Sequence, residues 1–218
     1  MQTSFFIGAF YLLYLALIFF GFEDLAFYMK PFLVPSLLLM FPFKSAFSAK
    51  KKLFYAVLFS TLGDVLLMFS GTLFFVLGLT SFLTAHLMYL MIFKSVRSPI
   101  RFNLMYIFSS LIIAVYFCTF LSFLWPHLGP MKAPVFIYAA ILSIMLWFAI
   151  HSNAQHPFSR LLIVLGALSF VISDSMLSTR LFYGTFKNAH FFIMFSYLLA
   201  QFLLVYGIIR TSGGKYIK

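Results

Sequence analysis

Two aspartates stand inside apolar stretches of this chain, Asp64 within residues 53–69 and Asp174 within residues 161–179. A carboxylate surrounded by hydrocarbon is expensive, so an acid in that position is a candidate for function. Counted from the nearest basic residue before it, Asp64 lies twelve residues beyond Lys52 and Asp174 fourteen beyond Arg160, or about 18 and about 21 Å along a helix. Both therefore reach nearly the same depth. Two carboxylates close together in low dielectric do not both ionise easily, so one keeps its proton while the other is an anion. That pairing makes an acid and a base from one residue type.

Other polar side chains fall within a turn or two of that level. His86 and Tyr89 are spaced i, i+3, and Gly78, Phe82 and Phe93 continue the same helical face. Tyr197 and Gln201 are spaced i, i+4 in a later run. Tyr138, Ser60 and Ser173 could add hydrogen bonds, although serines in membrane helices often bond their own backbone. Each also has a plain structural reading, as a core histidine or as polar glue between helices. Glu23 and Asp24 are expected in a solvated loop after the first helix. His127, His151 and His156 are expected in loops, and His190 at the start of the last apolar run near a membrane surface.

The elements that must hold these groups follow from composition. Of 218 residues, 64% are hydrophobic, 22% aromatic and 9% charged, against about 25% charged in a soluble domain. A soluble fold must still cover itself with polar groups. A soluble enzyme, a disulfide scaffold and a disordered chain are thereby excluded. The apolar runs are long and unbroken rather than alternating, which excludes a β-barrel and leaves a helical, polytopic membrane protein. Eight segments are expected, over residues 4–21, 31–43, 53–69, 73–93, 102–124, 133–150, 161–179 and 189–209. The second is short and holds Pro31, Pro35 and Pro42, so it either spans by snorkelling of Lys30 and Lys44 or is kinked.

The expected fold is an all-α membrane bundle of about eight transmembrane helices, forming one domain over 1–218. A weak internal repeat, 1–100 and 101–218, suggests two parallel four-helix halves. Met29-Lys30-Pro31 parallels Met131-Lys132-Ala133-Pro134, Asp64 parallels Asp174, and Ala85-His86 parallels Ala200-Gln201. Such repeats tend to place a site between the halves.

The net charge of +11 would suggest nucleic acid in a soluble protein, but here the bases sit in short loops. They act there as topology signals and contacts for anionic membrane lipids, with no nucleic-acid partner expected. With eight spans, one side carries eleven bases, at Lys44, Lys50, Lys51, Lys52, Lys94, Arg97, Arg101, Arg160, Arg210, Lys215 and Lys218. The other carries Lys30, Lys132, Arg180 and Lys187. Both termini are then expected in the cytoplasm, in the cell membrane if the source is bacterial. No base precedes Lys30, so the first run reads as a retained helix rather than a cleaved leader.

Cys118 stands alone and reads as a small buried or lipid-facing residue. No HExxH, Gly-rich phosphate loop or GxSxG elbow occurs, and no metal or cofactor is expected. The residues by themselves leave an enzyme and a proton-coupled transporter open. A metal-dependent lipid hydrolase with Asp64, His86 and Asp174 as ligands is a further alternative.

Taken in order, Lys30-Pro31, Gly63-Asp64-Val65, Phe82 with Ala85, His86 and Tyr89, Pro134 to Tyr138, Gly166-Ala167, Ser173-Asp174-Ser175, and Tyr197 with Ala200 and Gln201 form a set. This set resembles the YhhN-type lysoplasmalogenase family. The resemblance implies an integral membrane hydrolase that cleaves the vinyl ether of lysoplasmalogens, giving a fatty aldehyde and a glycerophospho-alcohol. It also implies a lysophospholipid as substrate. On that reading Asp64 and Asp174 are the acid and base, in either order. His86 and Gln201 would orient water or substrate oxygens, and Tyr89, Tyr138 and Tyr197 would line the pocket, with Ser173 beside them. Lys30 and Lys132 would meet the lipid phosphate or snorkel to the interface.

Overall fold

The computed structural model describes residues 2–42, 49–95, 104–152 and 156–213. Among them the secondary structure is helical throughout. The main helices are α1 (Gln2–Phe19), α2 (Glu23–Leu33), α3 (Lys50–Leu66), α4 (Thr72–Ser95), α5 (Leu104–Leu124), α6 (Lys132–Ile150), α7 (Pro157–Ser178) and α8 (Ala189–Gly213). Six stretches are long and apolar enough to cross a membrane: Gln2–Phe19, Thr72–Ser95, Leu104–His127, Gly129–Ile150, Pro157–Tyr183 and Ala189–Thr211. The chain is an integral membrane helix bundle.

The count of eight spans is not reproduced by length and apolarity alone. α3 has 17 residues and opens on three lysines. α2 has 11 and is followed by a 3-10 turn, Pro35–Met40. The expected segment 31–43 therefore starts too late. The chain turns at Gly21, whose φ of 81° suits glycine, and α2 begins at once. Glu23 and Asp24 occupy its first turn rather than a loop, where the helix dipole favours acids. Pro31 is accommodated inside α2, and the helix changes pitch at Pro35. The Tyr11 hydroxyl donates to the Leu33 carbonyl at 3.1 Å where the α-helical ladder stops. Lys44, Arg97, Arg101, Lys215 and Lys218 lie outside the described residues, as do Phe43 and residues 102–103 of the expected segments.

The most extensive packing joins α3 to α4 and α7 to α8, and α6 bridges them by contacting α4 and α7. Glycine allows the close approach in both pairs. A Cβ on Gly63 would come within 2.6 Å of the Phe82 ring, and one on Gly166 within 2.9 Å of Leu204. Small residues that let helices approach are the usual device where lipid removes the hydrophobic drive for association. α1 packs on α2 and α8. α5 leans on α6 from outside, through Trp147 Nε1–H donating to Ser110 Oγ at 2.8 Å and Tyr106 stacked on His151. Its outer face is exposed, Cys118 included.

Candidate active site

A cavity of 690 Å³ runs into the bundle between α3, α4, α5, α6, α7 and α8. Phe69 to Thr72, Leu124, Met131, Arg180 to Phe182 and His190 border it. All of these adjoin the α3–α4, α5–α6 and α7–α8 connections, so the cavity opens at that end of the bundle. Its size is that of a pocket for a small amphiphile.

Asp64 and Asp174 both line this cavity, and each accepts a hydrogen bond from a tyrosine on another helix. Tyr197 donates to Asp64 Oδ2 at 2.7 Å, and Tyr138 donates to Asp174 Oδ2 at 2.6 Å. Behind Asp64 the polar groups form a chain. Tyr89 donates to Gln201 Oε1 at 2.8 Å, and Gln201 Nε2 donates to the Tyr197 oxygen at 3.3 Å. Every donor in this chain points toward Asp64. Gln201 is wholly buried.

His86 stands beside Asp174, with Nε2 3.8 Å from Asp174 Oδ2. Its Nδ1 faces the carbonyl of Phe82, one turn back on α4. A carbonyl only accepts, so Nδ1 carries a hydrogen, and Nε2 is the ring nitrogen turned toward Asp174. That atom is buried with no hydrogen-bond partner. Phe170 lies between the two carboxylate arms, edge-on to the rings of His86 and Tyr197 at 4.6 and 5.6 Å.

The expected site residues are thus gathered, in two layers. Lys30, Asp64, Tyr138, Ser173, Asp174 and Tyr197 line the cavity. His86, Tyr89 and Gln201 stand behind its wall; His86 and Gln201 adjoin lining groups, and Tyr89 reaches them through Gln201. Ser173 donates to the Ile193 carbonyl at 3.1 Å and so ties α7 to α8. Ser60 is fully buried with its hydroxyl unpartnered. Lys132 lies over the Trp125 ring, 5.3 Å from its centroid, and is not part of the lining.

Tyr116, Arg180 and His190 are lining residues with long polar side chains that spacing does not mark as site groups. Tyr116 on α5 is hydrogen-bonded to the Ser175 hydroxyl. Arg180 sits in the π-helical turn Thr179–Tyr183 that extends α7, and His190 in the first turn of α8. A polar side chain at a run's end resembles an ordinary interfacial residue, so only the shared cavity distinguishes these three. Among the described residues no group of three or more His, Cys, Asp or Glu could hold a metal ion. Asp64, His86 and Asp174 are not gathered as such a group.

Known proteins add an independent line. The chain is 32% identical over 161 residues to lysoplasmalogenase TMEM86B of Homo sapiens, covering 73% of this chain and 64% of that protein. The Rattus norvegicus protein of the same name is 32% identical over 157 residues, 72% of this chain and 60% of its own length. Lysoplasmalogenase TMEM86A of Bos taurus is 28% identical over 166 residues, 73% of this chain and 66% of its own. The matched part of the chain thus spans about 64% of the human relative's length. No solved structure matches. The YhhN family matches residues 25–208, a stretch that contains both aspartates and every residue of the hydrogen-bonded chain between α4, α8 and α3; the chain belongs to the YhhN family.

Proposed function

We propose that the chain hydrolyses the vinyl-ether bond of lysoplasmalogen lipids, releasing a fatty aldehyde and a glycerophospho-alcohol. The observation that carries this reading is the pair of carboxylates on one cavity within a membrane bundle, each fixed by a tyrosine hydroxyl. Relatives named lysoplasmalogenase support it.

Vinyl ethers break by protonation of the carbon β to oxygen, which leaves an oxocarbenium ion at the α-carbon. Water adds there, and the hemiacetal collapses to aldehyde and alcohol. The reaction needs a proton donor and an anion that later accepts a proton from water, as in two-carboxylate glycoside hydrolysis. On this reading the two carboxylates take different roles. Asp64 terminates a chain of donors and lies within electrostatic range of Lys30, an environment for the anion. Asp174 is then the protonated acid, with Nε2 of a neutral His86 3.8 Å from its Oδ2.

Asp174 then gives its proton to the β-carbon, and Asp64 stabilises the cation and takes a proton from the attacking water. In the collapse, Asp174 recovers a proton from the hemiacetal hydroxyl while Asp64 returns one to the departing glycerol oxygen. Net consumption is one water. Tyr138 and Tyr197 orient the two carboxylates at the cavity, Ser173 holds α7 against α8, and Tyr89, Gln201 and His86 act from behind.

The same reading takes residues 1–100 and 101–218 as related halves. The α3–α4 and α7–α8 pairs are equivalent under the repeat, and each supplies one aspartate. With both termini in the cytoplasm, as loop charge indicates, the cavity opens toward the opposite leaflet.

The test is to supply purified protein in detergent with a lysoplasmalogen and with its saturated alkyl-ether analogue. Aldehyde from the vinyl ether alone is expected. Absence of aldehyde from folded protein, together with gradient-driven solute uptake in proteoliposomes, would replace hydrolysis with transport.

A further inference from the structure

The cavity lining carries two basic side chains and a histidine. Lys30 comes from α2, Arg180 from the π-helical turn and His190 from α8, and all three line the same cavity as the aspartates. They lie within electrostatic range of one another. Among the described residues none of them makes an ion pair or hydrogen bond. The acids in their range are Asp64, deeper in the cavity, and Glu23, near His190. Lys30 and His190 are half-buried and Arg180 is exposed, so the cluster runs from the surface inward.

Lys30 and Arg180 repel one another, and an anion held between them relieves that cost. A planar guanidinium beside a point-charge ammonium is a donor set suited to phosphate oxygens. Much of the remaining wall is apolar, through Phe75, Leu79, Phe117, Phe120 and Leu121. A basic patch and an apolar wall on one cavity match a single-chain lipid with an anionic headgroup.

We propose that Lys30, Arg180 and His190 form an anion site for the phosphodiester of a single-chain ether phospholipid, on the cavity that the two aspartates also line. This rests on the hydrolase reading for the identity of the lipid, and it deepens that reading. Anchoring the phosphate at the mouth sets how far the ether oxygen enters, and therefore which carbon meets Asp174. It also offsets the repulsion between an anionic substrate and the Asp64 carboxylate.

The experiment measures binding to the intact protein in detergent by thermal shift. The probes are a hexadecyl lyso-ether phosphoethanolamine, hexadecyl glycerol and inorganic phosphate. The wild type is expected to bind the phospholipid about tenfold more tightly than the glycerol ether. Arg180→Gln and Lys30→Gln should bring that ratio toward one. Arg180→Lys should keep part of it, and rising salt should shrink it in the wild type, which needs no variant to fold. A ratio unmoved by salt and by both Gln variants overturns the site. Stabilisation by inorganic phosphate with equal binding of the two lipids overturns the headgroup assignment in favour of a free anion. A clear binding ratio without aldehyde release would sink the hydrolase reading and keep the anion site. Aldehyde release with an unmoved ratio would do the reverse.

Discussion

Replacing Tyr197 by Phe removes one oxygen and two hydrogen bonds, the 2.7 Å bond to Asp64 Oδ2 and the 3.3 Å bond from Gln201 Nε2. The ring stays, with its edge contacts to Phe82 and Phe170, so the wall of the cavity should persist. A hydrogen bond to a charged group contributes roughly 1.5–3 kcal/mol. If Asp64 works as the anion and Tyr197 fixes it, most of that stabilisation is lost in the transition state. The aldehyde assay should then show kcat about ten- to hundredfold lower, with KM little changed. Tyr89→Phe acts two bonds further from the carboxylate and should cost several-fold less. The double variant with Asp64→Asn should be no slower than Asp64→Asn alone, because the two residues act as one unit. An unchanged kcat in Tyr197→Phe would refute the positioning argument. A loss as large as that of Asp64→Asn, and additive with it, would mean that the tyrosine itself takes part in proton transfer.

Asp64→Asn and Asp174→Asn should each abolish aldehyde release while keeping a cooperative melt in detergent; substantial turnover by both ends the acid–base assignment. Gly63→Ala places a methyl 2.6 Å from the Phe82 ring, and overpacking of this kind costs about 1–3 kcal/mol. Because Phe82 also holds Nδ1 of His86 through its carbonyl, turnover should fall along with the melting temperature, and a melt like that of the wild type would contradict the close packing of α3 on α4. Exhaustive treatment with a chelator should leave aldehyde release unchanged, and a loss restored by added zinc would favour the metal-dependent alternative. His86→Phe removes the Nε2 nitrogen beside Asp174 and should lower kcat at constant protein stability, whereas a fully active variant would leave the proton assignment without its support.

The class of the molecule and its polar candidates were legible before any coordinates. Long runs free of charge admit only membrane helices, and Asp64, His86 and Asp174 stand out because a polar group in hydrocarbon needs a reason. The His86–Tyr89 and Tyr197–Gln201 spacings marked real inward faces: Gly78, Phe82, His86, Tyr89 and Phe93 are all buried. The start of α2 was missed although a signal was present, since Glu23 and Asp24 together suit a helix's first turn. Apolarity alone drew the eye to the later, proline-rich stretch. Arg180 and His190 carried no distinguishing mark, because each sits at a helix end where basic side chains are common.

What sequence spacing determined, then, was which residues share a helix face and roughly how deep they lie, because the helical rise converts residue number directly into depth. What the tertiary structure alone decided was partnership: Tyr197 with Asp64, 133 residues apart, and Tyr138 with Asp174, 36 apart. The physical reason lies in the solvent. In water a helix shows its inward face by its apolar stripe, but in lipid both faces are apolar and the rotation of each helix is set by packing against its neighbours. Here that setting comes from close contacts such as Gly63 on Phe82 and Gly166 on Leu204, and the packed helices bring the two aspartates, Lys30, Arg180 and His190 around one cavity.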